Sequence, residues 1–178
     1  MDFKAALQEM VTNVDLVAEQ IRVADGQTLS FTQDDIERRG HAIEVRINAE
    51  DPANGRFLPS PGKITELVVA QGYGTRWDGG YEAGDEISQF YDNLVGKLVC
   101  WGKDRPTAIR RTIRALGEMK VTGVATTIPA DVAILSHPDF AALEHSTKWV
   151  ESTLDLSGVK SDKGLPPAPV EGEEPKVQ

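Results

Sequence analysis

From His41 to Asn48 the side chains alternate with a period of two. His41, Ile43, Val45 and Ile47 fall on one side of an extended segment, and Ala42, Glu44, Arg46 and Asn48 fall on the other. Successive side chains of a strand point to opposite faces, so this pattern specifies a strand with one core-facing side and one polar side. A helix would scatter both sets around its circumference. Such a strand needs partners in a sheet. Residues 93–101 are richly apolar and read as a central strand, residues 63–69 alternate well enough for another, and 120–126 supply a last one. Pro52, Asn54 and Gly55 mark a turn, and Gly72, Gly74, Gly79, Gly80 and Gly84 divide the following stretch into short strands and tight turns.

Helical spacing appears elsewhere. Residues 11–25 predict an amphipathic helix: Asn13 can cap it, Val14, Val17, Ile21 and Ala24 form its stripe, and Gly26 stops it. Thr32–Asp35 suits a short helical turn. Asp104 with Pro106 opens a helix whose apolar stripe is Ile109, Ile113, Leu116 and Met119, and Pro129–Ser136 predicts a shorter one, ended at His137-Pro138-Asp139. Strands cluster rather than alternate with helices, which favours an α+β fold with a mixed, mainly antiparallel sheet and a few packed helices. Residues 1–10 lack the pattern and read as a separate N-terminal lead, 11–156 as the folded domain, and the Pro- and Glu-rich 157–178 as a flexible linker or tail.

A net charge of −9 argues against nucleic acid or an anionic membrane as partner, because both need clustered Lys and Arg. No apolar run approaches the ~20 residues that span a bilayer. The opening Met1-Asp2-Phe3-Lys4 lacks a secretory layout, and the single Cys100 can form no intrachain disulfide. Both favour a cytoplasmic address.

The chain carries no phosphate-binding loop, no nucleophile elbow and no zinc-spaced Cys/His cluster. His41 lies in phase with the core side of its strand, His137 reads as a helix terminator, and no metal site is expected among the three histidines. The polar side of the first strand remains. Glu44, Arg46 and Asn48 read either as a solvated face or as a site in which a rigidly held guanidinium stabilises an oxygen that becomes anionic during reaction.

The run Gly40-His41-Ala42-Ile43-Glu44-Val45-Arg46-Ile47-Asn48-Ala49-Glu50-Asp51-Pro52, followed by Phe57-Leu58-Pro59-Ser60-Pro61-Gly62 and Tyr91-Asp92-Asn93-Leu94-Val95-Gly96-Lys97-Leu98, resembles the C-terminal domain of biotin carboxylase. The resemblance covers about residues 9–152. It implies a parent enzyme, the biotin carboxylase component of an acetyl-CoA or propionyl-CoA carboxylase, that uses ATP, magnesium and bicarbonate to carboxylate biotin on a carrier protein. Arg46 matches the family arginine that stabilises the ureido oxygen of biotin. Tyr91 and Asp92 match a supporting element on the biotin side, with Phe90 replacing its first tyrosine, and Asp92 reads equally as the anchor of a turn. Glu44 shares the face of Arg46 and joins the supporting set. Tyr73 and Arg76 match residues of the family's dimer interface, although a hairpin packed on its own domain is an equal reading.

The resemblance also implies that the nucleotide, magnesium and bicarbonate sites belong to an ATP-grasp body upstream of residue 11. By this reading the chain is cut at both ends and does not turn over alone. The implied partners are that ATP-grasp lobe, a second copy in a homodimer, a biotin carrier domain and a carboxyltransferase subunit. A non-catalytic module that dimerises or complements a separately encoded ATP-grasp body is the alternative. A third reading, a small α+β domain with its own ligand, predicts a closed pocket; the carboxylase reading predicts Arg46 on an open surface with exposed apolar area nearby.

Overall fold

The computed structural model describes residues 3–163; Met1, Asp2 and residues 164–178, which include most of the expected linker, lie outside the described residues. The expected alternating strand forms as β1 (His41–Asn48). It is followed by the short strands β2 (Glu50–Asp51), β3 (Leu58–Pro59), β4 (Gly62–Lys63) and β5 (Glu66–Val68). Then come β6 (Thr75–Gly79), β7 (Glu86–Ile87), the long β8 (Leu94–Gly102) and β9 (Lys120–Thr122). All observed pairings are antiparallel. The main sheet has the order β1-β8-β6, so the richly apolar segment is central, as its composition predicts. The α+β expectation with a mainly antiparallel sheet holds.

Six helices accompany the strands among the described residues: α1 (Phe3–Thr12), α2 (Leu16–Ala24), α3 (Arg105–Glu118), α4 (Ile128–Ser136), α5 (Pro138–Ala142) and α6 (Trp149–Ser152). α3 covers the core side of β1 and β8. Its predicted stripe is there, widened by fully buried Ala108, Thr112 and Ala115. Asp104 caps α3 by accepting from the Thr107 amide at 2.8 Å. Ile43, Val45 and Ile47 meet Leu98 and Cys100 in the core cluster, as the period-two pattern requires.

Three local expectations change. Asn13 does not cap α2; Asp15 does, accepting from the Ala18 amide at 2.8 Å. Asn13 instead ends α1 in the left-handed region at φ 58°, where Asn is better tolerated than most residues. The expected strand 63–69 divides at Ile64–Thr65, because Lys63 pairs with β7 while Glu66 pairs with β9. Residues 120–126 are extended only to Thr122; Val124 and Ala125 continue as fully buried coil.

The N-terminal lead is helical and packed. α1 lies against β1 and β8. Ala6 and Val99 are both buried but stand outside the core cluster. Val99 is in register with Glu44 on one side and Arg76 on the other. Cross-strand partners share a face, so α1 covers part of the sheet's polar side. Residues 157–163 are also held at their end: Asp162 accepts from the Thr126 amide at 2.7 Å and from its hydroxyl.

Candidate functional site

Arg46 projects from the polar side of β1 with 54% of its side chain exposed, and its Nε lies 4.0 Å from Oε1 of Glu44, whose side chain is only 5% exposed. Register places Lys97 opposite Arg46 and Asp78 beyond Lys97. The β1–β8 ladder slips between Ile47 and Asn48. There Thr127 takes over the strand's edge. Its hydroxyl donates to the Arg46 carbonyl at 3.1 Å and accepts from the Asn48 amide at 3.2 Å, and its own amide donates to the Asn48 carbonyl at 3.1 Å. The Arg46 backbone is thus fixed from both sides. Its guanidinium, always cationic, carries several donors in a planar fork suited to an anionic oxygen.

Tyr91 and Asp92 sit in the loop before β8, and Tyr91 is 85% exposed. Asp92 Oδ1 accepts from the Leu94 amide at 3.0 Å, which is the geometry of a turn anchor. What joins this loop to β1 is a residue that the sequence pattern does not single out. Glu50 Oε1 accepts from Asn93 Nδ2 at 2.8 Å and from Asn48 Nδ2 at 3.5 Å, while the Ala49 amide donates to the Asn93 carbonyl at 2.8 Å. The one hint in the sequence is that Glu50 continues the even-numbered polar phase of β1.

Arg76 is held between Glu9 of α1 at 2.5 Å and Asp78 at 2.7 Å, and these hydrogen bonds push its already high pKa further up. Tyr73 is largely exposed, edge-on to Trp101 with ring centroids 6.0 Å apart, and the Arg111 guanidinium lies 5.5 Å from its ring centre. Both residues therefore make contacts within their own domain. Tyr73 also lines a recess of about 360 Å³ together with Met10, Arg39 and Trp101. Arg46 lines neither this recess nor those of about 520 Å³ beside Trp77 and about 450 Å³ beside Phe57.

The histidines have structural partners. His41 Nε2 lies 3.0 Å from an Arg105 guanidinium nitrogen; burial first, and then that cation, depress its pKa. His137 ends α4 and caps α5, and His145 stacks on Phe140 at 4.7 Å. Among the described residues no three Asp, Glu, His or Cys side chains converge as a metal would require. No helix among them is long and apolar enough to cross a membrane.

A family profile described as the biotin carboxylase C-terminal domain matches residues 44–152. The chain belongs to that family. Biotin carboxylase relatives align well beyond the profile. Biotin carboxylase of a Nostoc species is 48% identical over 143 residues, 80% of this chain and 32% of that protein. Biotin carboxylase 1 of Bacillus subtilis is 45% identical over 150 residues, 84% of this chain and 33% of that protein. The biotin carboxylase domain of the 2-oxoglutarate carboxylase of Hydrogenobacter thermophilus, solved as a dimer with MgADP, ADP and bicarbonate, superposes with a TM-score of 0.81 at 39% identity. The match covers 85% of this chain and 33% of that one. The chain thus spans about a third of the length of the biotin carboxylases it matches.

Proposed function

We propose that this domain supplies the biotin-facing side of a biotin carboxylase active site, with Arg46 stabilising the negative oxygen that biotin's ureido group gains when its nitrogen is deprotonated. The observation that carries this reading is the exposed guanidinium on a doubly anchored strand: preorganised donors at a developing charge lower a barrier without reorganisation. Glu44, nearly buried beside it, orients it. Tyr91 and Asp92 flank the biotin side from a loop tied to β1 through Asn93. The sites for ATP, magnesium and bicarbonate lie in polypeptide outside residues 1–178, and their half of the reaction is delivered by an ATP-grasp lobe.

Exposed apolar surface supports a missing neighbour. α2 buries none of its residues, and Ile21 and Val23, with Leu29 just beyond, present large apolar side chains to solvent. The same reading names a biotin carrier domain and a carboxyltransferase as partners, with a homodimer contact through Tyr73 and Arg76, in a cytoplasmic enzyme. The parent's acceptor is an acyl-CoA such as acetyl-CoA or propionyl-CoA by the family resemblance; relatives named for pyruvate and 2-oxoglutarate widen the choice to 2-oxo acids.

The test is bicarbonate-dependent ATP hydrolysis with free biotin. Pure chain is expected to give only background, and mixing it with a separately produced ATP-grasp lobe from a relative is expected to restore turnover. Turnover by the pure chain would refute the division of labour, and an inert mixture that nonetheless forms a complex would refute the role of Arg46's face. A non-catalytic module that dimerises or complements a separately encoded ATP-grasp body is the second reading; complementation predicts restored carboxylation that is lost in Arg46→Ala, and the intramolecular anchoring of Arg76 counts against the dimerising form.

A further inference from the structure

By composition residue 157 begins a linker, yet residues 156–162 form a strap fastened beside the end of β1. Leu156 is buried next to Gly55, and the Val159 carbonyl accepts from the Asn54 amide at 3.2 Å. Three residues further on, Asp162 commits both carboxylate oxygens to one residue. Oδ1 accepts from the Thr126 amide at 2.7 Å, and Oδ2 accepts from the Thr126 hydroxyl. Thr126 is fully buried, and a buried donor that loses its acceptor carries the full cost of its desolvation. The same hydroxyl accepts from the Ile128 amide at 3.3 Å, one of the amides that the first turn of α4 leaves without a helical partner.

Thr127 holds the cap position of α4 but makes no side-chain capping bond there. Its hydroxyl and amide go instead to Arg46 and Asn48, in three contacts of 3.1–3.2 Å. β1 is an edge strand of the main sheet, and its ladder to β8 slips at this point, so Thr127 holds the edge that β8 does not reach. Two adjacent threonines thus divide the work: Thr126 grips the strap and Thr127 grips the strand. They are joined by one planar peptide unit, which passes a constraint on the first to the second. We propose that Asp162 is a positioning residue for Arg46: by clamping Thr126 it sets where Thr127 meets the end of β1, and so where the guanidinium stands. The catalytic consequence rests on the biotin reading; the mechanical link does not. A carboxylate suits the task because hydrogen bonds to an ionised acceptor are shorter and stronger than neutral ones.

Amide hydrogen exchange on residues 1–178 reads the link directly, because the Asn48 and Thr127 amides both donate within the contact between Thr127 and β1. In Asp162→Ala both are expected to exchange about tenfold faster, the size that losing a hydrogen bond to a charged group implies. The Trp101 amide, bonded to the Gly74 carbonyl at 2.7 Å on the far side of the sheet, should keep its rate and so report that the fold holds. The catalytic arm uses the assembly with an ATP-grasp lobe. There Asp162→Ala is expected to lower kcat for carboxybiotin formation about tenfold with the KM for ATP unchanged, as a displaced catalytic donor requires. Asp162→Asn keeps an acceptor for the Thr126 amide and loses the one for its hydroxyl, so it should fall between Asp162→Ala and wild type in both arms. Should the alanine variant not fold, the asparagine variant decides alone. Unchanged exchange at Asn48 and Thr127 would overturn the link. Faster exchange with full carboxylation, while Arg46→Ala is impaired, would reduce Asp162 to an anchor of the tail and overturn its positioning role. An Arg46→Ala assembly that carboxylates normally would instead bring down the biotin reading, and the exchange rates would still decide the link.

Discussion

Gly123→Ala is expected to cost about 2–6 kcal/mol, the sum of roughly 1–3 for a strained backbone and 1–3 for overpacking. Gly123 follows β9 with φ +99°, a conformation that L side chains rarely adopt. An added Cβ would fall on the Lys63 carbonyl oxygen and lie 3.1 Å from the Thr65 amide nitrogen. Neither neighbour can retreat. Lys63 is held in β4, the Thr65 amide donates to the Thr122 carbonyl at 2.8 Å, and Val124 and Ala125 beyond the glycine are fully buried. Urea unfolding provides the measurement, with Gly26→Ala as a comparison. Gly26 also has positive φ, +83°, but nothing lies within 4 Å of its added Cβ, so only about 1 kcal/mol is expected. Equal midpoints for the two variants would mean that Lys63–Thr65 does not press on β9 this closely.

Asp131→Asn is expected to stabilise the chain, and increasingly so as pH rises. Burial of Asp131, in the first turn of α4, is the main cause that raises its folded carboxyl to about 7 against 3.8 for the ordinary side chain, so between those values the native state holds a proton that the unfolded state releases. Stability attributable to this group is therefore full below about pH 4, falls as pH rises toward 7, and is level above it. A gap of about three units is worth at most ~4 kcal/mol, and partial relaxation reduces what is realised. Asn keeps the shape and removes the charge. The advantage of the variant should grow by about 2 kcal/mol between pH 5 and pH 8, or ~4–8 °C in melting temperature for a domain of this size. Thermal melts at the two pH values check it, and an advantage that is constant with pH would show that Asp131 does not titrate in this range.

The elements legible in the sequence are those whose pattern is local. β1 announces itself because four residues at a spacing of two, three of them strongly apolar, cannot share any other surface, and α3 because Asp104, Pro106 and a stripe from Ile109 to Met119 agree on start, phase and length. α1 is hidden for the opposite reason. Its docking depends on Ala6, a small residue with little hydrophobic signal, and on the ion pair between Glu9 and Arg76, partners 67 positions apart. The cap of α2 lies two residues beyond the expected Asn13 because Asn13 and Asp15 are both good N-cap types, and only the left-handed φ at Asn13 assigns it to the end of the preceding helix. The long strand expected at 63–69 divides because its two ends pair with β7 and β9, which come from different parts of the chain.

The candidate site shows the same division. Glu44 and Arg46 follow from the strand's period, and the resemblance points to Tyr91 and Asp92. Thr127 and Glu50, which hold Arg46's backbone and the Tyr91 loop in place, act across 81 and 43 positions of sequence respectively. No local pattern encodes such pairings. Thr127 in addition is nearly buried, which residue type alone would not predict for a threonine at a helix start.

Arg46 is proposed to serve the biotin half of a reaction whose ATP half lies elsewhere. The most direct test is Arg46→Ala in the assembly of this chain with an ATP-grasp lobe, following carboxybiotin formation and biotin-independent ATP hydrolysis in parallel. Loss of one oxyanion-stabilising donor predicts that carboxylation falls by about 10²–10³ in kcat while biotin-independent hydrolysis changes little. Carboxylation retained at the wild-type rate, or both activities falling together, would contradict the account.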